Sequence, residues 1–276
     1  MNFVVFSDQN YEYQVRDFVS SISLLNIRVD NIFYYTIGFD SDIEHNALVK
    51  IRWEKDKDLS NYSYYKAMLC LDALNRANGQ FCYFDSDILL GHRFKYFNPI
   101  FGNDYPICAT TPMPYPFRYF HNLNGEYFEW DETAFMNYIS VPKRTMNYVY
   151  ACFFTFDERC IDFFQEEDAW CRFKYFIPHH ELRVYPFWDE TIMNVLLWKR
   201  NAKVNYGRIF CNSHKFNTIK MVETNDNIRN INIDNNQYEQ IENSALVMFY
   251  HGTKNAESNQ EILTFYKDRY ALESNG

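Results

Sequence analysis

The chain has 276 residues, a formal net charge of −9 at pH 7, and aromatic side chains at 20% of its positions. A chain of this length can form one large domain with a substantial core, or two small ones. It carries no basic stripe. Because nucleic-acid-binding proteins depend on clustered Lys and Arg, we do not expect nucleic acid as a partner.

The first half of the chain alternates strand patterns with helix patterns. Short apolar runs predict strands over residues 2–6, 31–39, 47–53 and 80–84. Apolar side chains at helical spacing predict helices over residues 10–26 and 60–79, with Asn10 and Ser60 as caps. This alternation is typical of a mostly parallel sheet flanked by helices, in which ligands bind at the carboxyl ends of the strands.

The buried faces of these two helices can be predicted from the spacing of their apolar residues. The face of the first helix is formed by Val15, Phe18, Val19, Ile22 and Leu25. The face of the second is formed by Tyr64, Ala67, Met68, Leu71 and Leu74. Lys66 lies off that second face, which is compatible either with solvent exposure or with ligand binding.

The second half of the chain is less regular. Residues 110–135 are rich in Pro and aromatic residues without clean periodicity, and they predict a long surface loop or lid. Within it, we expect the stretch from Tyr115 to Trp130 to contact an acceptor. Strands are predicted over residues 148–156 and 244–250, a marginal edge strand over 224–243, and helices over 157–173, 188–201 and 258–272, with Asp189 as a cap.

The cysteines indicate a reducing compartment. They are odd in number, form no CxxC pair and lie partly in apolar runs; their positions are 70, 82, 108, 152, 160, 171 and 211. We therefore expect buried free thiols and neither a disulfide framework nor a zinc site. The apolar run at residues 3–6 is too short for a signal peptide, and no stretch is long enough to span a membrane. We expect a soluble, cytoplasmic protein, with peripheral contact with a membrane left open.

The tetrapeptide FDSD occurs twice, at residues 39–42 and 84–87. Two carboxylates one residue apart can hold Mg²⁺ or Mn²⁺, which prefer oxygen ligands. Asp85 and Asp87 end a predicted strand between apolar sequences, and side chains alternate along an extended chain, so both carboxylates can face the same way. Asp40 and Asp42 lead into a charged stretch instead. We expect the second copy to be the metal site and the first to be a solvated turn.

Other polar residues stand at the ends of predicted elements. His251 follows a strand and is itself followed by Gly252, which permits close approach of a ligand to the backbone, and by Lys254. An imidazole can complete a Mn²⁺ site, and an ammonium group can neutralise phosphate. Asp189 and Glu190 open a helix, where acids favour the helix dipole and serve as caps, but the aromatic sequence before them is also compatible with a ligand site.

These motifs, in this order, resemble those of metal-dependent GT-A glycosyltransferases, and most of all glycosyltransferase family 8 and its relatives. The resemblance spans nearly the whole chain. It is carried by FSDQNY at residues 6–11, YYKAMLCLDAL at 64–74, YFDSD at 83–87, YVYACFFTFDERC at 148–160, DETIMN at 189–194 and HGTK at 251–254. Membership of a sister family with the same fold is left open, because the spacing from His251 to its glycine is shorter than in family 8, and YAC replaces the family's Asn-x-Gly.

The resemblance implies one GT-A-like domain over residues 1–276, with a nucleotide- and metal-binding half at 1–105 and an acceptor-side half with a closing helix at 106–276. It implies transfer of a sugar from a nucleotide diphosphate donor, with UDP favoured, to a hydroxyl of a glycan or another acceptor, as in polysaccharide biosynthesis. A Mn²⁺ or Mg²⁺ ion would act as the Lewis acid. Inversion and retention are both left open, with a lean to retention.

The resemblance also gives expected roles to the residues named above. The metal ligands would be Asp87, Asp85, which also reaches the ribose, and His251. Asp8 and Tyr11 would lie near the nucleoside, while Lys66, Gly252 and Lys254 would contact the rest of the nucleotide. Asp189 and Glu190 would be catalytic, contacting the donor or the acceptor sugar.

The sequence leaves three other functions as alternatives. A DxD phosphotransferase usually has its motif near the N-terminus with Thr or Val two residues after the second Asp, where this chain has Leu89. A nucleotidyltransferase would need an N-terminal glycine-rich loop, which the residues 6–11 do not provide. A non-catalytic carbohydrate-binding or scaffold protein of the same fold is a third alternative, and retention of the acids together with His251 counts against it.

Overall fold

A computed structural model describes residues 1–57, 59, 62–110, 119–121, 127–129, 140, 144–172, 188–206, 210–212, 246–248 and 256–270. The strands are β1 (Asn2–Ser7), β2 (Ile32–Ile37), β3 (Leu48–Trp53), β4 (Phe81–Phe84), β5 (Ile88–Leu90), β6 (Ile107–Thr110), β7 (Tyr119–His121), β8 (Tyr127–Glu129), β9 (Val149–Phe156), β10 (Phe210–Asn212) and β11 (Leu246–Met248). The α-helices are α1 (Glu12–Leu24), α2 (Lys66–Arg76), α3 (Ile161–Arg172), α4 (Trp188–Lys199) and α5 (Ala256–Tyr270).

Six strands form the main sheet in the order β3-β2-β1-β4-β9-β6. β2 pairs in parallel with both β1 and β3, and β6 is an antiparallel strand at one edge. This confirms the predicted mixed α/β fold with a mostly parallel sheet flanked by helices. A smaller sheet has the order β10-β11-β5, and β7 pairs with β8 as an antiparallel hairpin. That hairpin lies within residues 110–135, which were predicted to be a loop.

Backbone contacts divide the chain into two compact units. The first contains Met1–Glu54, Phe84–Pro99 and Ile209–Gly276, and the second contains Lys55–Tyr83 and Ile100–Arg208. The predicted halves, 1–105 and 106–276, stay a prediction.

Helix α1 buries its predicted face in the first unit. Each of the five apolar residues expected on that face is at most 5% exposed. Among them, Phe18 packs against Phe84, with ring centroids 5.0 Å apart. The predicted cap was wrong: Asp8, not Asn10, accepts hydrogen bonds from the backbone N–H groups of Asn10 and Tyr11. A 3₁₀ turn over Gln9–Tyr11 therefore precedes the α-helix, and satisfies N–H groups that a helix start leaves without partners.

Helix α2 confirms only part of the predicted buried face, since Tyr64 and Ala67 are buried as expected. Its buried residues are Lys66, Ala67, Leu69, Cys70 and Ala73, whereas Met68, Leu71 and Leu74 are only half-buried. A 3₁₀ turn at Tyr62–Tyr65 precedes the α-helix, and residues advance further around the axis per position in a 3₁₀ turn. The apolar spacing counted through that turn therefore gave the wrong phase. The expected cap, Ser60, and the expected edge strand at 224–243 lie outside the described residues.

The aromatic residues of β4 and β9 form the core of the second unit. Tyr83 stacks on Phe154 with centroids 4.6 Å apart, and Phe81 stacks on Phe156 at 5.2 Å. Among the cysteines whose side chains the structure describes, six are buried and free, as predicted, namely Cys70, Cys82, Cys108, Cys152, Cys160 and Cys171. Within the described part of the chain, no helix combines the length and apolar character needed to cross a membrane.

Candidate functional site

The second FDSD forms a turn between the strands β4 and β5. β4 ends at Phe84, β5 begins at Ile88, and the backbone N–H of Ile88 donates to the carbonyl of Asp85 at 3.2 Å. Asp85 and Asp87 thus flank Ser86 on this turn, and both carboxylates are half-buried. Asp85 and Asp87 therefore lie on a turn, and not along an extended strand as expected. The predicted position at the carboxyl end of a strand is correct.

The turn is tied to the start of α1. The hydroxyl of Ser86 donates to the side-chain carbonyl of Gln14 at 2.8 Å. Gln14 lies in the first turn of α1, just after the 3₁₀ turn that Asp8 caps at the end of β1. The carboxyl ends of β1 and β4 are thereby connected through side chains. Tyr11, on the same 3₁₀ turn, is 43% exposed and available to a ligand.

The first FDSD has a different environment. Asp40 forms an ion pair with Arg52 at 2.6 Å, and Asp42 forms one with Arg16 at 2.6 Å. The two carboxylates are 79% and 83% exposed. The hydrogen bond from Arg16 lowers the pKa of Asp42 below its ordinary value. Each acid is therefore neutralised by an arginine in solvent, as expected of a solvated turn.

The predicted third metal ligand, His251, lies outside the described residues, as do Gly252 and Lys254. Within the described ranges, no group of three or more His, Cys, Asp or Glu side chains could hold a metal ion. The described strand nearest to His251 in sequence is β11, which pairs antiparallel with β5 and places Met248 opposite Ile88. The strand that leads towards His251 therefore runs beside the strand that follows Asp87.

Lys66 and Asp189 form a buried ion pair in the second unit. The Nζ atom of Lys66 lies 2.7 Å from the Oδ2 atom of Asp189, and the two side chains are 7% and 6% exposed. Lys66 also donates to the carbonyl of Ala151 at 3.0 Å, and its ammonium lies 5.4 Å from the ring centroid of Tyr83. The helix α4 begins at Trp188, so Asp189 lies in its first turn and not at the predicted cap position.

Polar side chains of α4 attach this helix to β9. Glu190 accepts a hydrogen bond from the backbone N–H of Ala151 at 3.1 Å. One turn later, the buried Asn194 accepts from the N–H of Val149 and donates to its carbonyl, both at 2.9 Å. These contacts fix the orientation of Asp189 and Glu190 relative to β9. Burial raises the pKa of Tyr148 well above its ordinary value, and the charge of the nearby Glu190 carboxylate raises it further.

Glu167 was missed by the sequence analysis. It lies on α3, is 1% exposed, and neither of its carboxyl oxygens is hydrogen-bonded within the described structure. Burial and the charge of Asp189 raise its pKa well above the ordinary value. A signal was present in the sequence, since residues 160, 163, 164, 167 and 171 form a helical stripe that is otherwise Cys and Phe.

Comparisons with known proteins support the fold and leave the family open. No protein-family model matches the sequence, and a search of curated proteins gives no significant match. Among solved structures, an active-site mutant of LgtC is similar with a TM-score of 0.59 at 12% identity, over 96% of this chain and 95% of that one. The galactosyltransferase LgtC in complex with donor and acceptor sugar analogs has a TM-score of 0.57 at 12% identity, over 96% of each chain.

The chain has the GT-A fold. In this fold the turn of Asp85 and Asp87 follows a central strand of the main sheet, at the edge where parallel α/β sheets bind ligands.

Proposed function

We propose that this protein is a glycosyltransferase that transfers a sugar from a nucleoside diphosphate donor, UDP-linked, to a hydroxyl of a glycan or another acceptor. The observation that carries the proposal is the half-buried turn of Asp85 and Asp87 at the carboxyl end of β4 in a GT-A fold. The similarity to LgtC, whose complex holds donor and acceptor sugar analogs, supports the same reaction class.

The residues at this turn fit a divalent cation. Both are carboxylates, they are partly accessible, and oxygen donors are the ligands that Mg²⁺ and Mn²⁺ prefer. Asp87 and Asp85 would hold the ion together with His251. In sequence, His251 comes three residues after Met248, the last residue of β11, which is the partner of β5. When bound, the metal would stabilise the negative charge that develops on the departing diphosphate.

The nucleotide would lie against the ends of β1 and β4. The exposed ring of Tyr11 offers an apolar face for the nucleoside, and Asp8, half-buried on the same turn, offers carboxylate oxygen to the ribose. We assign Gly252 and Lys254 to the diphosphate, because a glycine permits close approach of the backbone and an ammonium neutralises phosphate.

Asp189 and Glu190 are the residues that we assign to the sugars. One oxygen of Glu190 is hydrogen-bonded to the backbone of Ala151, which leaves the carboxylate anchored in a defined position. Lys66 was expected to contact phosphate. Its ammonium is compensated by Asp189 and by the Ala151 carbonyl, and we therefore propose that it orients Asp189 and does not bind the diphosphate.

A donor screen tests the proposed function. The protein with Mn²⁺ would be incubated with a panel of UDP-, GDP- and ADP-sugars and a mixture of glycan acceptors, and the products followed by mass spectrometry. We expect release of UDP together with an acceptor one sugar heavier. A protein that binds a UDP-sugar and consumes none of it with any acceptor would be a non-catalytic binding protein. Transfer of a phosphoryl group without sugar would support the phosphotransferase instead.

A further inference from the structure

The buried carboxyl group of Glu167 stands out among the described acids. Its side chain lies on the face of α3 that also buries Phe163, Phe164 and Cys171. A carboxylate ion that is removed from water without a hydrogen-bonding partner is strongly destabilised, and such groups usually keep their proton instead. The neighbouring Glu166 shows the usual arrangement, since it is partly exposed and forms ion pairs with Lys199 and Arg200.

Several charged or titratable groups surround Glu167 on the elements that pack around it. They are Lys66 and Cys70 on α2, Asp189 on α4, Cys108 on β6, and Asp168 and Cys171 on α3 itself. Burial raises the pKa of the thiols of Cys70, Cys108 and Cys171 well above the ordinary value, so these thiols are neutral. The cluster therefore contains one ammonium, Lys66, that is already paired with the carboxylate of Asp189.

The choice of partner by Lys66 depends on the charge of Glu167. If both Glu167 and Asp189 were ionised, the ammonium would be drawn towards two carboxylates in a medium of low dielectric constant, and one buried negative charge would stay uncompensated. If Glu167 carries a proton, one ammonium faces one carboxylate. This second arrangement agrees with the short Lys66–Asp189 contact and with the absence of any hydrogen bond to the Glu167 oxygens in the described structure.

We propose that Glu167 is a positioning residue for Lys66: as an uncharged acid beside the buried ion pair, it leaves Lys66 to hold Asp189 and the carbonyl of Ala151. Loss of the proton from Glu167 would pull Lys66 away from Asp189. The uncharged state of Glu167 and its effect on Lys66 do not depend on the proposed function, whereas an effect of Glu167 on sugar transfer rests on it.

Infrared spectroscopy tests the charge of Glu167 without any activity measurement. The difference spectrum of wild type minus Glu167→Gln at pH 7 should contain the carbonyl stretch of a protonated carboxylic acid. Glu166→Gln is the matched control and should show only the loss of a carboxylate band. A carboxylate band for Glu167 at pH 7 would overturn the proposal. If Glu167→Gln does not fold, the pH titration of the wild-type carbonyl band decides the same question.

Unfolding experiments give a second readout. Above the ordinary pKa of Glu, the folded protein keeps a proton on Glu167 that the unfolded chain releases, so the folded state should lose stability as the pH rises. Up to the folded pKa, the unfolding equilibrium constant of the wild type should rise by up to about tenfold per pH unit relative to that of Glu167→Gln. A constant ratio of the two between pH 5 and pH 8 would contradict a neutral Glu167.

Transfer kinetics test the positioning role. Glu167→Gln resembles the protonated acid and should keep kcat within about twofold at pH 7. The kcat of the wild type should fall at alkaline pH, where Glu167 releases its proton, and the kcat of Glu167→Gln should not. Glu167→Leu, if folded, also carries no charge that could compete for Lys66, so its kcat should likewise be insensitive to alkaline pH and its KM for the donor should be unchanged. Equal kcat for all three proteins with equal pH profiles would reduce Glu167 to a packing residue. If no protein transfers sugar at all while the infrared result holds, only the proposed function fails.

Discussion

The Nζ atom of Lys66 lies 2.7 Å from the carboxylate of Asp189, with both side chains less than a tenth exposed. A buried ion pair of this kind adds little net stability compared with an apolar pair, but it becomes costly when one partner is removed. The pair is better explained as a means of orienting Asp189, because it connects α2 to α4 beside β9, where Glu190 accepts a hydrogen bond from Ala151.

Removing one member of the pair should therefore lower the free energy of unfolding more than removing both. Lys66→Met or Asp189→Leu alone should each lower the free energy of unfolding by about 3–5 kcal/mol, because the remaining charge stays buried without its partner. The double variant should recover most of that loss. Urea unfolding of the four proteins measures the coupling, and the exposed pair Arg16–Asp42 is the control, for which the same cycle should show much weaker coupling. Additive losses for Lys66 and Asp189 would contradict a buried pair.

The variant Glu190→Gln distinguishes a structural role of Glu190 in α4 from a role in sugar transfer. The amide oxygen can still accept the hydrogen bond from Ala151, so we expect the free energy of unfolding to change by less than about 1 kcal/mol. UDP affinity should also be unchanged, while sugar transfer falls at least about tenfold because the negative charge is lost. Normal transfer with a loss of thermal stability would show that Glu190 only holds the helix against β9.

Much of the fold could be predicted because it depends on local patterns. The strands β1 to β4, β9 and β11, and also α1, follow directly from apolar runs and helical spacing, and the five apolar residues predicted on the face of α1 are buried. The errors have local causes as well. A 3₁₀ turn changed the phase of α2, and Asp8 replaced Asn10 as the cap because its side chain reaches two N–H groups. The short strands β5, β6 and β10 have only three or four residues, too few to show a period.

The site was harder to predict, since charge pairing is not visible in a sequence. Nothing around residue 66 indicates that this lysine meets Asp189, which is 123 positions away in the chain. The sequence analysis assigned no role to Glu167, although its spacing from Phe163 and Cys171 placed it on the buried stripe. The positions of Asp85 and Asp87 were correct because the end of a strand is itself a local feature.

The buried cysteines predict slow reaction with thiol reagents. Burial raises the pKa of Cys160 to about 12, and it raises that of Cys70, Cys108 and Cys171 as well. Since the thiolate is the reactive form, the six buried thiols should react with an aromatic disulfide reagent only after unfolding in urea. Peptide mapping by mass spectrometry identifies the labelled positions. Rapid labelling of any of the six in the native protein would contradict its burial.

The two FDSD sequences allow a matched comparison within one protein. The single variants Asp87→Ala and Asp85→Ala should each abolish Mn²⁺-dependent turnover while the protein stays folded. Asp40→Ala and Asp42→Ala remove exposed acids that are paired with arginines, and each should change turnover by less than about tenfold, a barrier change of about 1.4 kcal/mol. Circular dichroism of each variant provides the control for folding. An essential first pair with a dispensable second pair would reverse the assignment.

Calorimetric titration of UDP in the presence of Mn²⁺ and in the presence of EDTA tests the central claim, a metal-dependent nucleotide site at the turn after β4. We expect clear binding to the wild type with Mn²⁺ and little binding in EDTA. Asp87→Asn should lose the metal-dependent part, and Asp42→Asn should keep it. Equal affinity for UDP in both buffers, or full metal-dependent binding by Asp87→Asn, would contradict the account.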